Sequence, residues 1–475
     1  MQRTVSHAPG HWVTFSVLAV SVLAFTLLQS LVIPVLGEFR SAFRTDQATV
    51  TWVLTAYLLA ASICTPLIGR LGDAIGKRKA LVLTLVALSL GSLMAASAGS
   101  IAWLIAARVA QGAGGGVLPL SFGIIRDEFP RAKMQLGLSI AASLSAAGFG
   151  IGIVLAGPIV DLLGFRWLFW LPMITTGIAA FAALLVVPES PVRSPGRIPV
   201  APAVLLSMWL AALLLAVSQG NHWGWGSARV VCLLAIACAA AVGWVVVELH
   251  VQVPLIDMQM MRSRGIWTSN VVSAFFGSGV FAAFGFLPQF LETPSRAGYG
   301  FDATIGEAGR ILLPSTIFSV LVGLTTANLV RTFGSRAVVM AGTFSMAVAF
   351  ASIAMWHDTP WHLAGAMALQ GIGSGLVGPS VAGVVIVSVP PEQTGTASGI
   401  NANVRTIGGA IGSAVMAGMV TAHPGIEGYP TERGYVVGFL ILAAGMLLAT
   451  AAAWAIPRVL VPPRSLTRKQ RVETL

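Results

Sequence analysis

Gly69-Arg70-Leu71-Gly72-Asp73-Ala74-Ile75-Gly76-Lys77-Arg78-Lys79 is a polar, glycine-bracketed stretch wedged between two apolar runs of membrane length, at about 48–69 and 79–98. Gly69, Gly72 and Gly76 permit a tight reversal and a close approach of helices. Asp73 sits just ahead of the next helix, where an anion is favoured by the helix dipole and by the neighbouring cations. The stretch therefore joins two antiparallel spans, and the rest of the chain is read outward from it.

The 475 residues are 56% hydrophobic and only 9% charged, with a mean hydropathy of +0.85. That leaves too little polar surface for a dissolved globule and places the chain in a bilayer. A span needs about 20 mostly apolar residues. About fourteen such runs are present, near 12–36, 48–69, 79–98, 101–124, 135–160, 165–187, 201–219, 229–249, 267–291, 306–330, 337–356, 361–389, 395–421 and 434–456. The first has no small-residue cleavage site and leads into further spans, so it reads as a retained span rather than a signal peptide. The expected class is an all-α polytopic membrane protein.

Lysine and arginine set the orientation. With the N-terminus inside, Arg3, Arg70, Lys77, Arg78, Lys79, Arg126, Arg131, Lys133, Arg193, Arg197, Arg262, Arg264, Arg331, Arg336, Arg458, Arg464, Arg468, Lys469 and Arg471 fall on one side. Only Arg40, Arg44, Arg166, Arg229, Arg296, Arg310 and Arg433 fall on the other. Both termini are expected to be cytoplasmic in a cell membrane. The net charge of +11 is thus a topology signal spread over short loops, and no basic patch interleaved with aromatics suggests a nucleic-acid partner. Cys64, Cys232 and Cys238 all lie in spans with no metal-ligand spacing, so no metal and no cofactor is expected.

The second half repeats the first. Ala327-Asn328-Leu329-Val330-Arg331-Thr332-Phe333-Gly334-Ser335-Arg336 lies over Gly69 to Arg78, with Leu, Gly and Arg in register and Arg331 in place of Asp73. Gln370-Gly371-Ile372-Gly373-Ser374-Gly375 echoes Gln111-Gly112-Ala113-Gly114-Gly115-Gly116 at nearly the same offset. Two six-helix pseudo-symmetric halves follow, and the pair of runs at about 201–249 is an insertion between them. The expected organisation is a first half over 1–190, an inserted pair with linkers over 191–265, and a second half with a basic tail over 266–475. The breaker-rich Pro188-Glu189-Ser190-Pro191-Val192-Arg193-Ser194-Pro195-Gly196 and the Gly/Trp loop Gly220-Asn221-His222-Trp223-Gly224-Trp225-Gly226 support these seams.

The Gly69–Lys79 stretch resembles the signature loop of the major facilitator superfamily of transporters. Leu104-Ile105-Ala106-Ala107-Arg108-Val109-Ala110-Gln111-Gly112 looks like that superfamily's fourth-span motif, and Gly148-Phe149-Gly150-Ile151-Gly152 with Ala156-Gly157-Pro158 is similar to its antiporter motif. Phe165-Arg166-Trp167-Leu168-Phe169-Trp170, Trp52-Val53-Leu54-Thr55-Ala56-Tyr57, and Gly395-Thr396-Ala397-Ser398-Gly399-Ile400-Asn401 resemble segments of the fourteen-helix drug:proton antiporters. The resemblance implies a cytoplasmic latch formed by Gly69, Arg70, Asp73, Gly76 and Arg78. It further implies proton coupling or conformational roles for Arg108, Gly112, Gly152, Gly157 and Pro158. It departs from the family at Phe25, where those antiporters carry an acid, and at Val160-Asp161, where they commonly show a glycine pair.

With no acid placed at mid-membrane depth, the rim carboxylates Asp161 and Glu307 become the candidates for the proton carrier, the alternative being ordinary hydrated surface groups. Polar residues stranded in apolar spans mark a cavity: Gln29, Trp52, Tyr57, Gln111, Asn270, Gln289, Gln370, Asn401 and Arg405. Each is either a substrate contact or a hydrogen-bonding link between helices. Taken together, the sequence predicts a secondary transporter working by alternating access, exporting amphipathic drug-like or metabolite compounds in exchange for protons. The alternative is uptake or facilitated flux of an organic anion using Arg108 and Arg405. An enzyme would need clustered His, Asp or Glu within spans, and the seven histidines lie in tails, loops or span ends. The loops are also too short to hold a soluble sensor domain.

Overall fold

The computed structural model describes residues 10–45, 47–190, 199–251, 254–421 and 429–457, and these are helical almost throughout. The basic residues Arg3, Arg193, Arg197, Arg458, Arg464, Arg468, Lys469 and Arg471, with His7, His423 and most of the Pro-rich linker, lie outside the described residues.

Among the described residues, thirteen segments are long and apolar enough to cross a bilayer. One of them, Gly306–Met355, is 50 residues long and breaks at Gly334 (φ 81°, ψ 155°), so it makes two crossings and the total is fourteen. The first half comprises α1 (His11–Leu31), α2 (Gln47–Ile75), α3 (Lys77–Ala96), α4 (Ile101–Glu128), α5 (Arg131–Leu163) and α6 (Trp167–Val186). The inserted pair is α7 (Val200–Trp223) and α8 (Ala228–His250). The second half comprises α9 (Arg264–Glu292), α10 (305–333), α11 (335–355), α12 (Pro360–Val387), α13 (Thr394–Thr421) and α14 (Glu432–Ala453).

The helices are longer and the turns shorter than the hydropathy runs suggest. The reversal expected across residues 69–79 shrinks to one non-helical residue, Gly76 (φ 108°, ψ 137°), and residues before it remain in α2. Its repeat mate Gly334 breaks the second half in nearly the same conformation, which L side chains rarely adopt. A Cβ on Gly76 would also fall 2.3 Å from Glu189 Oε1, the movable end of that side chain. Apolar content reports depth in the membrane, whereas backbone hydrogen bonding continues into the interfacial zone, so charged residues such as Arg70 and Asp73 are carried on helix ends.

The repeat holds at the level of packing. In α4 the Gly112–Gly116 segment tightens to a 3-10 turn and lets the backbone press on α2, where a Cβ on Gly112 would lie 2.3 Å from Ala60 Cβ. In α12 Gly371 presses on α10 in the same way, with a Cβ position 2.2 Å from Ser315 O. Buried side chains such as Leu18, Leu81 and Leu85 fill the first half, and Phe350, Phe439 and Met446 fill the second.

The outward surface is apolar, with Phe181 and Leu185 about two-thirds exposed, which requires a lipid solvent. Exposed tryptophans gather at the two rims: Trp12, Trp267 and Trp454 at the end that holds Asp73, and Trp103, Trp167, Trp225, Trp356 and Trp361 at the opposite end. Such belts mark the two membrane interfaces, and the chain is a multi-pass membrane protein. The inserted pair clips onto both halves through α7: Thr55 Oγ1 of α2 lies 3.0 Å from Ser218 Oγ, and Asn221 Nδ2 donates to Ala414 O of α13 at 3.1 Å.

Candidate functional site

The two halves meet along two seams. Along one, α5 and α10 are packed over much of their length, from Ser143 against Gly323, past Gly150 against Thr316, to Val154 against Gly309. Along the other, α2 and α13 touch at the Asp73 end, where Gly69 and Gly395 let the backbones meet and a Cβ on Gly69 would fall 2.5 Å from Gly395 O.

Asp73 is buried (1% exposed) and reaches across that seam to the N-terminus of α13. Its carboxylate accepts from Gly395 N (3.2 Å), Thr396 N (3.0 Å) and Thr396 Oγ1 (2.9 Å). The first N–H groups of a helix have no partners within the helix, and its dipole favours an anion there, so the acid completes α13 from the other half. Arg126 of α4 adds a second tie. It donates to Val389 O (2.8 Å), Pro390 O (3.3 Å) and Thr394 Oγ1, covering the loose carbonyls between α12 and α13.

Of the other polar residues of the signature stretch, Lys77 and Arg78 pair within the first half and Arg70 faces the inserted pair. Lys77 Nζ is 2.8 Å from Asp127 Oδ2, with both side chains buried, and Ser190 Oγ donates to the same oxygen. Arg78 faces Glu189 at 3.8 Å. Arg70 is buried, with no hydrogen bond to its Nε, close enough to the buried Glu248 of α8 for their charges to interact. The grouping of Arg70 and Arg78 with Asp73 is therefore corrected: of the three, only Asp73 bonds across the seam. Sequence reasoning passed over Lys77, Arg126, Asp127, Glu189 and Thr396. The scarcity of charge was the available signal, since an acid such as Asp127 at the same end as a basic cluster has few other partners to find.

Between the seams lies a cavity of about 160 Å³ lined by both halves. Its wall is aromatic, with Phe25, Phe122 and Phe149 from the first half and Phe276, Phe281 and Phe284 from the second. Of the nine polar residues expected there, Gln29, Tyr57, Asn401 and Arg405 line it. The others are corrected. Gln111, Gln370 and Asn270 lie behind the wall and fasten it: Gln111 Nε2 donates to Ser92 Oγ (3.1 Å), Gln370 Nε2 to Ser374 Oγ (3.0 Å), and Asn401 Nδ2 to Asn270 Oδ1 (2.9 Å). Buried amides in an apolar bundle seek partners, and neighbouring helices supply Ser92 to Gln111, Ser315 to the Gln370 oxygen and Asn401 to the Asn270 oxygen. Trp52 and Gln289 lie near the helix ends opposite Asp73 and are absent from the lining.

Arg108 is also set back. Fully buried, its Nε donates to Val53 O (3.0 Å) and a terminal nitrogen to Gln111 Oε1 (2.7 Å). Its guanidinium lies over the Tyr57 ring at 4.2 Å, so Tyr57 stands between it and the cavity. Gly152 packs on Ser30 of α1, while Gly157 and Pro158 lie on the outer part of α5 beyond the lining.

Neither rim acid reaches the cavity. Glu307 closes a capping box with Thr304 at the start of α10 and lies 3.8 Å from Arg310, and Asp161 is exposed near the end of α5. A helix start that needs its N–H groups satisfied recruits the nearest carboxylate, which turns Glu307 away from the interior. Among the described residues no Asp or Glu lines the cavity, no group of three or more His, Cys, Asp or Glu could hold a metal, and Phe25 occupies the wall.

The arrangement resembles known proteins over nearly its whole length. The chain is 30% identical over 442 residues to the cephamycin export protein CmcT of Amycolatopsis lactamdurans, covering 90% of this chain and 89% of that protein. It is 28% identical over 383 residues to the multidrug transporter protein MdtP of Bacillus subtilis, covering 79% of this chain and 69% of that protein. In fold it matches the solved structure of the proton:xylose symporter XylE, with a TM-score of 0.66 at 15% identity, covering 95% of this chain and 96% of that one. It matches that of the human organic anion transporter MFSD10 with a TM-score of 0.65 at 18% identity, covering 94% of this chain and 100% of that one. The sequence profile of the Major Facilitator Superfamily matches residues 18–413 and 270–473, and with two six-helix halves enclosing one cavity the chain belongs to that superfamily of transporters.

Proposed function

We propose that the protein exports amphipathic, drug-like or metabolite compounds from the cell by alternating access, using the proton-motive force. The observation that carries this reading is the aromatic cavity to which both halves contribute, held shut at the Asp73 end by contacts that cross between the halves. The export relatives named above support it. Lysine and arginine excess at the Asp73 end supports a cytoplasmic placement of that end and of both termini. The half boundaries near residues 190 and 265 follow the inserted pair.

In this reading Asp73 and the Gly69–Gly395 contact form the latch of the outward-facing state. Breaking them and parting α2 from α13 admits cargo from the cytoplasm, while the α5–α10 seam rocks. At about 160 Å³ the cavity is below the roughly 300–1,000 Å³ usual for drug-sized ligands, so loading includes movement of the walls. Arg108 keeps the Tyr57 wall in place during this movement. Among the described residues proton exchange has no carboxylate to use inside the cavity, and the buried acid at the moving seam is Asp73.

The test is uptake of neutral, anionic and cationic amphipathic fluorophores into energised inverted vesicles, comparing wild type with Ala146→Trp, which fills the cavity wall. The expected outcome is uptake of at least one class in wild type and none in the variant. Equal uptake by both, or no energised uptake of any class, overturns the proposal.

A further inference from the structure

We infer that the cargo is an amphipathic organic anion, bound with its carboxylate or comparable oxyanion on Arg405 and its apolar body against the phenylalanine wall. This rests on the exporter reading above and assigns the substrate class of the same cavity.

Arg405 is the sole charged side chain lining the cavity among the described residues. It is half-buried, and no carboxylate, carbonyl or hydroxyl among those residues accepts a hydrogen bond or forms an ion pair with it. The other intramembrane arginine shows what a structural guanidinium looks like in this chain: Arg108 is fixed by Val53 O, Gln111 Oε1 and the Tyr57 ring. Arg405 has no such set. An unpaired guanidinium in a low-dielectric cavity is unfavourable, and a planar oxyanion that accepts two parallel N–H bonds removes the penalty. Asn401, one helical turn away, is already held by Ser273 and Asn270, so it adds shape rather than charge. A cationic cargo would instead meet one fixed positive charge with no negative charge to offset it.

The same charge accounts for how such a chain works with Phe25 where related antiporters have an acid. Loaded, Arg405 and the cargo anion cancel, and the occupied cavity crosses the membrane without moving net charge. Empty, the cavity carries the positive charge of Arg405, and an inside-negative potential draws it back toward the cytoplasm. One cycle exports one negative charge. The potential alone supports a gradient of roughly 50-fold per 100 mV for a monovalent anion. No proton-carrying group in the cavity is required.

The experiment uses the full chain in proteoliposomes, with a potassium diffusion potential set by valinomycin and equal pH on both sides. The probes are dansylglycine, an aromatic carboxylate, and its neutral amide. Wild type is expected to accumulate dansylglycine on the positive side, with the logarithm of the concentration ratio proportional to the potential. Arg405→Gln is expected to bind dansylglycine at least tenfold more weakly while binding the amide as wild type does, which also reports that the variant is folded. Arg405→Lys should fall between the two, because it keeps the charge and loses the planar fork. Equal dansylglycine binding by wild type and Arg405→Gln, or anion movement that follows only an imposed pH gradient, overturns the inference. Movement of the amide without the anion overturns it and leaves the exporter reading in place. Movement of neither overturns the inference, and the exporter reading falls with it when energised vesicles also take up none of the three fluorophore classes.

Discussion

Replacing Asp73 by Asn should shift the protein away from the state in which the Asp73 end is shut. The carboxylate accepts three hydrogen bonds from Gly395 and Thr396 across the seam. Hydrogen bonds to a charged group contribute about 1.5–3 kcal/mol each, and an anion at a helix N-terminus about 0.3–1 kcal/mol more. Two effects reduce the net loss. Asparagine keeps one acceptor oxygen at the same place, and removing a nearly fully buried charge relieves its desolvation penalty. About 2 kcal/mol remains, which corresponds to roughly a 30-fold change in the ratio of shut to open forms. Spin labels at Lys79 and Arg331, both exposed at that end of opposite halves, would read this by pulsed electron–electron distance measurement once Cys64, Cys232 and Cys238 are replaced. Wild type should show a single short distance, and Asp73→Asn a second, longer population. Superimposable distributions would refute the part assigned to Asp73 in the latch.

Three further outcomes follow from the same geometry. Gly76→Ala and Gly334→Ala should each lower stability by about 1–3 kcal/mol from the left-handed backbone alone; thermal unfolding in detergent followed by tryptophan fluorescence measures both. Lys77→Met should destabilise the first half by about 3–5 kcal/mol by leaving Asp127 buried and unpaired, and Lys77→Met with Asp127→Leu should recover part of the loss in the same assay. Arg108→Lys should lower the transport rate about tenfold through loss of a hydrogen bond to Val53 or Gln111, while cargo affinity stays near wild type because Tyr57 separates residue 108 from the cavity. A parallel loss of cargo affinity would place Arg108 in the binding site.

The spans, the repeat and the inserted pair were legible in the residues themselves. Burial in lipid is a property of each stretch of about 20 residues, and the Gly76–Gly334 register survives as a local pattern with a local cause, a backbone conformation that glycine adopts freely. The scarcity of acids in the spans was equally plain, and with it the departure at Phe25.

Only the tertiary structure decided what each polar residue does. Asp73 finds its donors more than 300 positions away at Gly395 and Thr396, and no local pattern in α2 names them. Gln111 and Gln370 look like cavity residues by composition, yet Gln111 turns to Ser92 and Gln370 accepts from Ser315, each on a neighbouring helix, because a buried amide takes the nearest partner and helix rotation sets which partner is near. The same rotation turns Arg405 toward the cavity and sets Arg108 behind Tyr57, a distinction between two intramembrane arginines that hydropathy, blind to which way a helix faces, has no means to draw.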